Sequence, residues 1–123
     1  MYASDRAFRR LVKEALGLIP DEFRPYLAGV PVVIEDWPSD AVLDALGIPE
    51  DDTLYGLYSG HPLTDGPAEP GDLPPCITIY RGPLLEDCLD EGDLRTEIAT
   101  TVIHEIAHHF GISEERLEEL GWG

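Results

Sequence analysis

The sequence predicts an α+β fold in one domain, residues 1–123, in which a small, mainly antiparallel sheet packs against an N-terminal helix and a longer helix near the C-terminus. Three observations predict it. A chain of 123 residues with 43% hydrophobic residues can bury one core and has no length for a second. Apolar residues recur at helical spacing in two distant stretches, one at the start and one around residue 100. Between them lie short β-branched or alternating runs, separated by segments rich in proline and glycine.

In order along the chain, Ser4 caps a first helix in which Phe8, Leu11, Val12, Ala15 and Leu16 form a stripe, and Gly17 and Pro20 end it. Val30 to Glu35 (VPVVIE), Leu54 to Ser59 (LYGLYS) and Cys76 to Tyr80 (CITIY) read as three strands, being β-branched, aromatic or alternating. Asp40 to Leu46 reads as a short helix closed by Gly47. Residues 60 to 75 hold five prolines and three glycines, which forbids regular structure across most of the segment and marks a long loop, a lid or a connector. After CITIY the chain turns through Arg81, Gly82 and Pro83 into a helical piece, Leu84 to Leu89. Asp93 as N-cap then opens the main helix, Leu94 to Phe110, about 26 Å long at 1.5 Å per residue, and Gly111 stops it. Ser113 caps a last helix, EERLEEL.

Twenty-five acidic residues against eight basic ones leave a formal charge of −17. Half of the eight basic residues are Arg6, Arg9, Arg10 and Lys13, so the rest of the chain is more acidic still. Such a surface maintains solubility and repels phosphate backbones and anionic lipid heads, which argues against nucleic-acid and membrane partners and for cationic or neutral ones. The first residues lack the apolar run of a secretory signal, and no stretch reaches membrane-spanning length, so a cytoplasmic location is expected. There Cys76 and Cys88, twelve apart and without a CxxC spacing, remain reduced and serve as small buried residues.

The main helix carries the chemistry. At 100° per residue, Ala99, Val102, Ile103, Ile106, Ala107 and Phe110 share an apolar arc, and Glu97, Thr101, His104 and His108 lie on the other side. His104-Glu105-Ile106-Ala107-His108 is an HExxH motif: two imidazoles one turn apart can reach a single Zn2+, and the intervening Glu105 can take a proton from water beside it. A catalytic zinc takes a third protein ligand. Gly111 lets the chain leave the helix and turn back beneath the metal, which makes Glu114 the first choice; Glu118 is the rival one turn on. Glu114 also has an ordinary reading as a first-turn acid of the last helix. His109 sits 100° round the helix and reads as a packing residue or one that supports the ligands from behind, and His61, at the start of the long loop, as a solvated one.

The stretch HEIAHHFGISEERLEELG resembles the active-site segment of zincin metallopeptidases, in particular the small bacterial zincin-like metallopeptidase family. The likeness extends more loosely over the first helix, VPVVIED, LYGLYSGHPLT and ITIYRGPLL. It implies the pattern HExxHxxGxxD, with the two histidines and the final acid as zinc ligands and the glutamate as general base. These roles fall on His104, His108, position 114 and Glu105, where Glu114 is one methylene longer than the family's Asp. Larger relatives carry a methionine turn under the zinc; here Met1 is the only methionine, and Trp122 is left as an apolar floor or a packing residue. The expected activity is zinc-dependent hydrolysis of a peptide or protein substrate. Tyr55, Tyr58, Tyr80 and Arg81 are candidates for steadying the oxyanion, and Leu54 to Ser59 for pairing with an extended substrate. The rival expectation is an inert metal-binding or interaction module on the same scaffold, and a weaker one a non-peptidase amidohydrolase.

Overall fold

The first helix, α1 (Asp5–Gly17), begins as its sequence predicts: the Ser4 side chain accepts from the Ala7 N–H at 3.1 Å, and Phe8, Leu11, Val12 and Ala15 are buried. A computed structural model of the chain describes residues 1–49, 52–60, 70–71 and 73–123. Most of the long loop expected over 60 to 75, His61 included, lies outside the described residues.

A 3-10 turn (Asp21–Phe23) and a one-turn helix, α2 (Arg24–Leu27), follow α1 and were not anticipated. Pro25 in the first turn of α2 sits where its missing N–H has no intrahelical partner to lose, and Phe23 is buried. Next come β1 (Val32–Glu35), α3 (Asp40–Leu46), β2 (Gly56–Ser59) and β3 (Cys76–Tyr80). α3 has the predicted bounds, with Ser39 as its cap. β1 and β2 are each two residues shorter than expected, beginning after Pro31 and Tyr55.

The sheet corrects one expectation. Its order is β1-β3-β2, with β1 parallel and β2 antiparallel to β3, so it is mixed rather than mainly antiparallel. The last strand in sequence takes the centre because Ile77 and Ile79 are fully buried, whereas β1 alternates between half-buried and exposed residues. Such an arrangement is invisible to strand-by-strand reading.

α4 (Arg81–Asp87) starts three residues before the expected helical piece, since Gly82 and Pro83 stand in its first turn, where neither removes a helix bond. α5 (Glu91–Phe110) likewise begins earlier than the predicted Leu94. Its N-cap is Asp90, not Asp93: Asp90 Oδ1 accepts from the Asp93 N–H at 2.8 Å, while Asp93 Oδ2 accepts from the Leu89 N–H at 2.9 Å. Two acids three apart can each read as the cap, and the reciprocal pair uses both. α6 (Glu114–Glu119) closes the described chain.

α1 packs along α5, and α5 crosses β2, so the core lies between the helices and one face of the sheet. Cys76 is half-buried and Cys88 buried; both are free thiols. Burial first, then the carboxylates of Asp93, Glu97 and Asp87, push the Cys88 thiol up to about 11, which leaves it unreactive at neutral pH. Among the described residues no helix is long and apolar enough to cross a membrane.

The crossing of α5 and β2 depends on Gly56. A Cβ there would stand 2.8 Å from Thr101 Cγ2 and 3.0 Å from the Thr78 carbonyl oxygen. Gly56→Ala is therefore expected to destabilise the fold by about 1 to 3 kcal/mol, read by urea denaturation, because helix and strand must part to admit the methyl. Unchanged stability would show that the two elements separate freely.

Candidate active site

α5 separates core from chemistry along its own surface. Leu94, Ile98, Ala99, Val102, Ile103, Ile106 and Ala107 are buried, His104 and Glu105 are half-buried, and His108 is exposed. Gly111 ends the helix in the left-handed region at φ 69°, with its N–H and that of Ile112 both directed to the Ala107 carbonyl. That turn redirects the chain into Ser113, whose hydroxyl accepts from the Arg116 N–H at 3.1 Å and starts α6. Glu114 is the first residue of α6.

The consequence is one open cleft of about 580 Å³ lined by His104, Glu105, Ala107, His108, Gly111, Ile112 and Glu114. The structure thus brings the four sequence-predicted site residues to the same cleft. Glu114 lines the cleft and is at the same time the first-turn acid of α6. The rival Glu118 is exposed and does not line the cleft.

Two contacts were missed by reading the sequence. His104 Nε2 lies 2.9 Å from the Trp122 carbonyl oxygen, and Trp122 itself packs against the core with its N–H on the Leu117 carbonyl at 2.8 Å. A backbone carbonyl has no sequence signature, so nothing could have named this partner. The second contact joins helix to strand: Glu105 Oε1 accepts from the Tyr58 N–H at 2.9 Å. It follows from strand alternation. Tyr80 donates its N–H to the Tyr55 carbonyl at 2.9 Å, so residues 55, 57 and 59 bond toward β3, and the N–H groups of Gly56 and Tyr58 point off the sheet toward α5.

The remaining candidates sort by position. The His109 ring rests on Tyr58 at a centroid distance of 4.8 Å, a packing role as expected. Tyr58 and Tyr80 are buried. Arg81 is committed to Asp5 and Asp36. Tyr55 shares an adjoining cavity of about 230 Å³ with His104 and Glu105; its hydroxyl donates to Asp87, and that bond, ahead of burial, holds the phenol well above its ordinary pKa.

Two imidazoles and a carboxylate are the donor chemistry zinc takes, and in that respect the cleft fits the metal that its motif implies. They are not drawn together into ligand geometry: among the described residues no three His, Cys, Asp or Glu side chains form a group that could hold an ion as they stand.

Comparison with solved structures gives a conserved hypothetical protein from Thermo thermophilus, 23% identical, with a TM-score of 0.57 over 88% of this chain and 94% of that one. This likeness supports the fold. No curated protein matches the chain. The sequence model of the zincin-like metallopeptidase family matches residues 27–122, a span that contains the sheet, the cleft and both helices that line it. On that match, which covers most of its length, the chain belongs to the zincin-like metallopeptidase family.

Proposed function

We propose that the chain hydrolyses peptide bonds, with zinc held by His104, His108 and Glu114 and with Glu105 as general base. The observation that carries this reading is that the four side chains line one cleft, on two helices joined by the left-handed Gly111. Zinc, when bound, supplies a Lewis acid for the scissile carbonyl and lowers the pKa of its water toward about 7. The chain's own residues supply position and proton transfer. The Tyr58 N–H fixes one oxygen of Glu105, which leaves the other to take a proton from the attacking water and pass it to the leaving amine. The Trp122 carbonyl orients the His104 ring, the part that backbone carbonyls commonly play for ligand imidazoles. β2 lies at the sheet edge, and the stretch leading into it offers backbone groups for an extended substrate.

The substrate in this reading is a peptide or protein, since the charge of −17 disfavours nucleic acid and lipid surfaces, and the free cysteines favour the cytoplasm as the compartment of the reaction. A second reading is a metal-binding or interaction module without turnover. It is favoured by the Trp122 carbonyl at His104 Nε2, which leaves that ring only Nδ1 to offer a metal. Protein purified without chelator is expected to carry about one zinc per chain and to cleave an unbiased peptide library, with cleavage lost on chelation and restored by zinc. Zinc without cleavage supports the second reading, and failure to bind zinc at neutral pH under zinc-replete conditions overturns the metal site itself.

A further inference from the structure

A second cavity, of about 470 Å³, opens beyond the cleft, and its chemistry is of a different kind. Trp37 forms one wall. The indole is 55% exposed, although it is the largest side chain in the neighbourhood, and it packs against α4: a Cβ at Gly82 would come within 2.2 Å of the ring. Asp52, Glu86 and Asp87 supply carboxylates around it, and among the described residues none that lines the cavity is basic. Arg81, the nearest cation in sequence, is turned away to Asp5 and Asp36. A half-exposed indole in a cavity that three carboxylates also line is complementary to a cation that is itself flat and can stack, namely a guanidinium.

The cavity also neighbours the cleft on α5 through a third, smaller one. It shares Thr53 and Leu54 with the adjoining cavity of about 230 Å³, which in turn shares His104 and Glu105 with the cleft. Thr53 and Leu54, just before β2, thus stand between the Trp37 cavity and the cavity that His104 and Glu105 line. An extended chain paired with the residues before β2 would pass from Glu105 toward Trp37, the N–H of Tyr58 itself being taken by Glu105.

We propose that the Trp37 cavity is a specificity pocket for a basic side chain, arginine before lysine, of an extended peptide whose scissile bond lies at Glu105; the proposal rests on the peptidase reading for its occupant. The guanidinium stacks on the indole while Glu86 and Asp52 face its charge. Asp87 contributes less, because the Tyr55 hydroxyl already donates to it. The acidity of the whole chain adds long-range attraction for such a peptide, and this attraction weakens with salt.

The test measures binding alone. Fluorescein-labelled, end-blocked Ala/Gly/Ser peptides, identical except for one arginine or its neutral analogue citrulline, are titrated with the full chain in EDTA at low ionic strength and followed by anisotropy. The arginine peptide is expected to bind about tenfold more tightly than the citrulline peptide, and Trp37→Ala and Glu86→Gln are each expected to cut that preference to about threefold or less. Glu86 is exposed, so its variant keeps the fold if the tryptophan variant does not. Equal binding of the two peptides overturns the pocket. So does a preference that survives both substitutions, since it would arise from general charge. Because neither metal nor turnover enters the measurement, a chain that discriminates but cleaves nothing keeps the pocket and loses the peptidase reading, and a chain that cleaves without discriminating does the reverse.

Discussion

Replacing Glu105 by Gln is expected to lower turnover by at least ~10²-fold while zinc binding and stability remain close to wild type. The structure gives the reason for choosing Gln. Glu105 has two tasks, and only one needs a base: its Oε1 accepts the Tyr58 N–H and ties α5 to β2, which an amide oxygen can also do. Glu105→Ala removes both tasks. It should cost about 1 to 3 kcal/mol, because a partly buried N–H loses a charged acceptor, and it should loosen the edge strand. Peptide cleavage, metal content and urea denaturation of the two variants separate the roles. A Gln variant that cleaves at the wild-type rate rules out Glu105 as the base; one that loses zinc makes it a ligand or a ligand's support.

Zinc affinity is expected to collapse in His108→Ala with stability unchanged, since His108 is exposed and fills no core space. His104→Ala should lose the metal as well. Unlike His108, it should also cost about 0.5 to 1.5 kcal/mol, because the Trp122 carbonyl loses its partner and the C-terminal turn its tie to α5. Glu114→Ala should weaken zinc markedly and Glu114→Asp retain it, whereas a role confined to the first turn of α6 predicts a stability loss of only ~0.3 to 1 kcal/mol and unchanged affinity. Glu118→Ala, away from the cleft, is the control expected to bind as wild type. If Glu114→Ala binds normally and Glu118→Ala does not, the third ligand moves one turn along α6.

What could be read from the residues was what local chemistry decides. The Ser4 and Ser113 caps and the stops at Gly47 and Gly111 each rest on one side chain or one φ value and stand where expected. The buried arc of α5 also follows directly from its periodicity, as does the placing of His104, His108 and Glu105 off that arc. Glu114 reached the cleft because Gly111 has the backbone freedom its position requires. Non-local choices were hidden. Nothing in VPVVIE or CITIY tells a parallel from an antiparallel neighbour, and nothing in WG announces a carbonyl set against His104. The start of α5 was misjudged for a subtler reason: Gly92 looks like a breaker, but in a first turn, outside the bonded ladder, it costs little. Trp37 and the carboxylates around it come from separate stretches of chain and share no motif.

The bond from Tyr58 to Glu105 has a further consequence, for association between copies of the chain. An enzyme that receives extended substrates at a sheet edge keeps that edge open, and an open edge can template pairing with another copy of the same strand. At β2 the outward N–H of Tyr58 already faces a carboxylate, so an incoming strand would have to displace a charged acceptor to continue its ladder past that point. The edge is thereby obstructed at Tyr58, and Gly56, whose N–H also points off the sheet, is buried beside Thr101 of α5. A strand long enough to begin a fibril meets the obstruction, whereas the extended substrate proposed above, paired only with the residues before β2, would not.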